Sequence, residues 1–225
     1  VLHVLTCSHR ATRTPEPFLC FAPVWHNQGM ARADESGSRT RHERRAPRPL
    51  TAAALEELAL RYVSRFATTR AKLLTFLRRK VRERGWADGE APVQFEALAD
   101  RLCSLGYVDD AAFAVAKAGS LSRRGYGPGR VEQALRQAGV DEDDGSEARQ
   151  LASSEAVEAA LRFARRRRLG PWAPAQPDPA ARQKALAAMI RAGHGFGLSR
   201  EIVSAAPGAE LCADGLAEYV VVKDP

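Results

Sequence analysis

The chain has 225 residues, with 34 Lys and Arg against 27 Asp and Glu, giving a formal charge of +7 at pH 7. With 45% hydrophobic and 27% charged residues it can bury a core, and no uncharged stretch nears the roughly 20 apolar residues of a spanning helix. A wholly disordered chain and a membrane-embedded one are therefore excluded. The surplus charge is local. Arg61 to Arg84 hold nine basic residues and one acid, Glu83, for +8, and the rest of the chain sums to −1. Such a stretch is either the solvated face of a helix or a place where an acidic partner docks.

Cys7, Cys20, Cys103 and Cys212 lie far apart and form no CxxC pair, which reads as a reducing compartment. Val1 to Ala11 lack a basic start, a long apolar run and a small-residue cleavage site, so the expected location is the cytoplasm.

Residues 1–50 show no sustained period and mix five prolines with scattered arginines, which predicts a disordered extension. Met30 followed by a polar run reads as an ordinary start, which leaves residues 1–29 open as an untranslated upstream stretch. From Thr51 the period becomes helical, with Leu55, Leu58, Ala59, Tyr62 and Phe66 on one expected core face. A second helix begins at Thr68 or Thr69, a hydroxyl cap, and stops at Gly85 in the left-handed conformation. Its face Leu73, Leu77 and Val81 opposes Lys72, Arg78, Arg79 and Arg82. A third carries Phe95, Leu98, Ala99, Leu102 and Leu105 and ends at Gly106.

The unit then recurs. Asp109 and Asp110 cap a helix through Phe113 and Leu121, and Gly127-Pro128 opens another that Gly139 closes. The acidic run Asp141 to Glu147 leaves a third helix of that round unassigned. A third round begins at Ser154, ends its first helix in Arg165 to Arg168, resumes at Asp178-Pro179 with Leu186, Met189 and Ile190, and adds a short helix from Ser199. The expected fold is all-α, an elongated or curved array of three tandem two- to three-helix repeats over 51–108, 109–153 and 154–206, with a tail over 207–225.

Arg61-Tyr62-Val63-Ser64-Arg65, Arg70-Ala71-Lys72-Leu73, Leu105-Gly106-Tyr107-Val108-Asp109-Asp110 with Phe113-Ala114, and Arg123-Arg124-Gly125 occur in this order. With Phe163 to Pro171 they resemble the RecX family, regulators of the RecA recombinase, over about Leu55 to Ala206. The resemblance implies a non-enzymatic modulator that lies along the RecA filament on DNA and hinders its extension, ATP turnover and strand exchange. The expected protein is a monomer without cofactor or membrane association.

Several constellations have two readings. Asp109 and Asp110 can serve acid/base chemistry or cap a helix, and their place at a helix start favours capping. Gly125, Gly127 and Gly129 match no nucleotide loop and read as a flexible connector, although Arg123, Arg124 and Arg130 around a helix start can hold a DNA backbone phosphate. Cys7, His9, Cys20 and His26 fit no common zinc spacing, and His194 reads as a surface histidine. Arg165, Arg166, Arg167 and Arg168 wrap around a helix end, so at least two must leave any packed face and can meet DNA phosphate or an acidic protein patch. The expected contacts are thus Lys72, Arg78, Arg79, Arg82, Arg123, Arg124, Arg130 and Arg165 to Arg168. The rival reading is a sequence-independent DNA-binding protein that acts by competition for DNA.

Overall fold

The apolar stripes become helices wherever a capping side chain stands before them. The computed structural model describes residues 48–221. Thr51 accepts a hydrogen bond from the Ala54 amide and starts α1, Ala52–Val63. Thr69 accepts from the Lys72 amide and starts α2, Arg70–Arg84. In the same way Asp109 starts α4, Asp110–Arg123, and Asp178 starts α8, Pro179–Arg191. Each cap satisfies a free amide of the first turn and contributes about 1 kcal/mol. The other helices are α3, Phe95–Ser104; α5, Pro128–Ala138; α6, Ser146–Ser154; α7, Ala156–Arg167; α9, Phe196–Ser204; and α10, Ala213–Val221. Among the described residues there is no strand, only a parallel bridge between Leu50 and Trp86 and one 3₁₀ turn, Gly170–Trp172. No described helix is long and apolar enough to cross a membrane.

Among the described residues three clusters of side chains are buried. Leu50, Leu55, Leu73, Leu77 and Leu102 lead the first, within α1 to α3 and the segment before them. The second is built on alanines, Ala114 and Ala118 of α4 against Ala148 and Ala152 of α6, with Val131 and Leu135 of α5. Small side chains let α4 and α6 approach closely over most of their length. Phe163, Met189, Leu198, Ile202 and Leu216 lead the third.

Several expectations change. Leu50, assigned to the disordered extension, is fully buried, held by Leu50 N–H to Gly85 O at 2.9 Å and Ala87 N–H to Leu50 O at 3.0 Å. Gly85 has φ +79° but ψ 164°, so it is not left-handed helical, and the extended ψ turns its carbonyl toward Leu50. The acidic run does lead into a helix, α6, and residues of the expected tail form α10, which places Leu216 in the third core. The helix expected from Ser199 starts three residues earlier, at Phe196. Phe66, Leu105 and Ile190 were expected on core faces and are exposed. Phe66 and Leu105 lie beyond the ends of α1 and α3, where the helical period no longer aims side chains, and on α8 the core takes Met189 instead. Residues 1–47, among them Cys7, His9, Cys20, His26 and Met30 and the start and zinc readings that rest on them, lie outside the described residues.

Candidate partner interface

On α2 the register sends Leu73, Leu74 and Leu77 inward and leaves Arg78, Arg79 and Arg82 exposed. Their charge is largely matched in space. Arg78 meets Glu96 of α3 at 2.6 Å, and Arg79 lies 3.7 Å from Glu83. Lys80 shares Glu83 at 2.6 Å, Arg70 meets Asp100 at 2.7 Å, and Arg101 pairs with Glu56. Its own backbone amide and the Arg78 guanidinium hold the Glu96 carboxyl below the usual carboxylate range. Arg82 alone of the three has no ion-pair partner among the described residues. Three acids from outside the stretch, Glu57 of α1 with Asp100 and Glu96 of α3, thus offset part of its +8 through Arg61, Arg70 and Arg78.

The remaining candidates behave differently. Arg123 and Arg124 end α4, Arg130 stands in the first turn of α5, and Arg165, Arg166 and Arg167 end α7. Arg168, at φ 55°, is the left-handed cap of α7. All seven are exposed, and none is ion-paired with a described carboxylate. Carbonyls and rings position Arg124, Arg165, Arg166 and Arg167 instead. Arg166 Nη1 donates to Arg124 O at 2.7 Å, which joins two arginine runs 42 residues apart. The Arg124 guanidinium lies 5.3 Å from the Tyr126 ring centre, Arg165 5.4 Å from that of Trp172, and Arg166 and Arg167 5.7 and 5.8 Å from that of Phe163. Cations above ring faces keep their charge and lose mobility.

Three residues escaped the sequence reading. Arg162 Nη1 donates to Ser122 O at 2.8 Å and ties α7 to α4. Arg70 offers its amide to Asp110 and its side chain to Asp100. Lys117 lines a small cavity of about 190 Å³ with Arg124 and Arg130. The stripe Phe113, Lys117, Ser120, Arg124 at helical spacing was the available signal for Lys117. Lys72, expected on the α2 surface, is half-buried with its ammonium 4.6 Å from the Phe113 ring centre; burial, then Lys117, pushes its pKa down.

The glycine run is neither a phosphate cradle nor a flexible connector. Gly127 and Gly129 donate their amides to Ala192 O and Gly193 O at 2.9 and 3.0 Å. A Cβ on Gly127 would stand 2.3 Å from Gly193 O, so only glycine admits this backbone contact. His194, expected at the surface, is 4% exposed, with Nε2 3.2 Å from Gly125 O. A carbonyl only accepts, so Nε2 carries the hydrogen. Burial pushes the imidazole down to about 4, against a smaller upward pull from the Gly125 carbonyl.

The aspartate pair divides. Asp109 caps its own helix, whereas Asp110 accepts from the Arg70 amide at 2.8 Å and so caps α2. Burial pushes Asp110 up while that amide pulls it down. Both carboxylates are occupied as caps, and among the described residues no group of three His, Cys, Asp or Glu is arranged to hold a metal.

Residues 109–148 match the family described as RecX, second three-helix domain. The regulatory protein RecX of Myxococcus xanthus (strain DK1622) is 35% identical over 169 residues, 72% of this chain and 90% of the relative. That of Thermobifida fusca (strain YX) is 34% identical over 173 residues, 76% and 85%. Two solved structures are also similar. RecX from Lactobacillus salivarius has 16% identity and a TM-score of 0.48, covering 67% of this chain and 93% of that one. A second, described as regulatory protein RecX, has 24% identity and a TM-score of 0.49, covering 67% and 70%.

Proposed function

The chain belongs to the RecX family of regulatory proteins, and from that premise we propose that it binds the RecA nucleoprotein filament as a monomer and inhibits its ATPase and recombinase activities without being an enzyme. The supporting observation is the set Arg123, Arg124, Arg130 and Arg165 to Arg168, all exposed and unpaired with any described carboxylate, with Arg124, Arg165, Arg166 and Arg167 held over aromatic rings. Cations that spend no charge on their own fold are available to an acidic surface or a phosphate.

The test is ATP turnover by the cognate recombinase on single-stranded DNA. Substoichiometric inhibition of preformed filaments supports the proposal, and unaltered turnover overturns it. The same arginines also suit direct competition for DNA. In that case inhibition vanishes when single strands are in excess, and affinity for the naked strand falls in step with inhibition across variants.

A further inference from the structure

Two depressions lie side by side along α4. One, of about 430 Å³, is lined by Ala67, Tyr107, Ala112, Phe113 and Ala116 and ends at Lys117 and Ser120. The other is the 190 Å³ cavity of Lys117, Arg124 and Arg130, completed by Tyr126, Gln133 and Gln137. Lys117 belongs to both, and Phe113, Ala116, Lys117, Ser120, Leu121 and Arg124 follow the spacing of one helical stripe. An apolar groove therefore runs into a basic pocket over one face of one helix. The described carboxylate on it, Asp109, is occupied as the α4 cap. The loops at the groove also carry three large exposed apolar side chains, Phe66 at 56%, Leu105 at 62% and Tyr107 at 55% exposure. Apolar surface of this kind marks a protein contact.

We propose that this face of α4 docks an acidic peptide segment of the protein partner, with a bulky apolar side chain in the groove and carboxylates on Lys117, Arg124 and Arg130. The proposal rests on the reading of a regulator that binds a protein filament, and it names the chemistry that the partner presents. Charge complementarity selects an anionic occupant. A peptide fits better than a nucleic-acid strand because a strand needs open ring faces for its bases. Here Lys72 sits at 4.6 Å over Phe113 and Arg124 at 5.3 Å over Tyr126, which leaves Tyr107 as the one described ring lining the two depressions without a cation over it, too few to stack successive bases. The spacing is also specific. From Ala116 to Arg124 the helix rises about 12 Å, which is roughly four residues of an extended chain. Alternate residues of such a chain share a face, so the matching pattern is an apolar anchor with carboxylates two and four residues along.

The experiment titrates the ¹⁵N-labelled full chain with the peptide Leu-Ser-Glu-Ser-Glu and follows amide shifts. Saturable shifts are expected at Tyr107, Phe113, Ala116, Lys117, Arg124 and Arg130. Replacing the peptide leucine by serine should remove those at Tyr107 and Ala116. Lys117→Ala with Arg124→Ala should raise the fitted Kd about fivefold, as expected for the loss of two exposed ion pairs. Both side chains lie on the surface of α4, and an unchanged helical circular dichroism spectrum confirms that the variant is folded. Absence of saturable shifts, or equal shifts around Arg79 and Arg82, overturns the site. An oligothymidylate that shifts the same amides at lower concentration overturns it in favour of nucleic acid. Inhibition of the recombinase without these shifts would leave the proposed function standing and remove only the docking site.

Discussion

The arginines of α2 and those gathered at the ends of α4 and α7 are equally prominent along the chain, yet they face different surroundings. Glu83 and Glu96 lie within 4 Å of Arg79 and Arg78. Around Arg124 and Arg166 there are carbonyl oxygens and rings instead. In the first set Arg78 and Arg79 are ion-paired within the fold and, among the described residues, Arg82 is not, whereas no member of the second set is paired with a described carboxylate. Local charge density along a sequence is thus a poor guide to a binding face, because an opposing acid such as Glu96 arrives from a helix packed alongside. The second set further depends on a backbone contact that glycine alone allows, and that dependence supplies the strongest way to break the comparison.

Gly193→Ala should have the largest effect. At Gly193, with φ +90°, a new Cβ would lie 2.2 Å from the Arg130 amide nitrogen. Backbone strain and overpacking together should cost about 4 kcal/mol in a urea melt. Gly89→Ala is the control, since it has a similar φ of +81° and nothing within 4 Å. It should cost only about 1 kcal/mol. Equal losses would show that the Gly193 contact contributes nothing and that the second set does not depend on it.

His194 probes the same junction by pH. Its folded pKa, about 4, lies below the ordinary 6.5, so between those values the unfolded chain binds the extra proton. Stability conferred by the neutral imidazole is therefore complete above about pH 6.5 and is lost as pH falls toward 4, by about 3 kcal/mol. Urea melts across this window should show that slope for the wild type and lack it for His194→Gln. A wild type with no such slope would contradict a buried neutral His194.

Helix starts were legible because caps are local: Thr51, Thr69, Asp109 and Asp178 each lie three residues before the amide that they bind. The burial of Leu73, Leu77, Leu102, Val131 and Leu135 followed from a 3.6-residue period in the same way. What could not be read depends on residues far apart. Asp110 serves Arg70, 40 positions away, and Thr69 donates to Ala138 O at 2.5 Å across 69. His194 reaches Gly125 over the same separation, and Gly127 meets the Ala192-Gly193 turn. For the candidate interface, the arginines themselves were legible, but their partners were not. Nothing in the string Arg78-Arg79-Lys80 announces Glu96, and nothing in Arg165 to Arg168 announces Arg124 O.

Charge reversal compares the two sets directly. Arg124→Glu with Arg166→Glu should raise the concentration needed to inhibit recombinase ATPase at least about tenfold, because these cations carry unmatched charge. Arg78→Glu with Arg79→Glu makes the same net change on α2 and should shift it only about twofold, because the fold already pairs both cations with carboxylates. Equal shifts would mean that net charge matters and that pairing does not. A larger shift for the α2 variant would make α2 the binding face.

The smallest predicted effect asks whether pairing is what silences α2. Arg78 and Glu96 are both about half exposed, so their contact at 2.6 Å is an exposed ion pair worth less than about 1 kcal/mol of stability. Glu96→Gln keeps an acceptor oxygen but removes the charge, which frees Arg78 for an outside anion. Fluorescence anisotropy on a labelled oligothymidylate should then show binding tightened roughly twofold, with a salt slope steeper by about 0.7, the value for one extra phosphate contact on a single strand. Glu147→Gln gives the same net charge from the first turn of α6, where Glu147 is exposed and has no ion-pair partner among the described residues. Because ions screen exposed charges beyond about 8 Å, that control should leave the slope unchanged. Identical behaviour of the two variants would show that Glu96 of α3 does not restrain the α2 arginines. The contrast between the two cation sets would then reduce to their positions on the molecule.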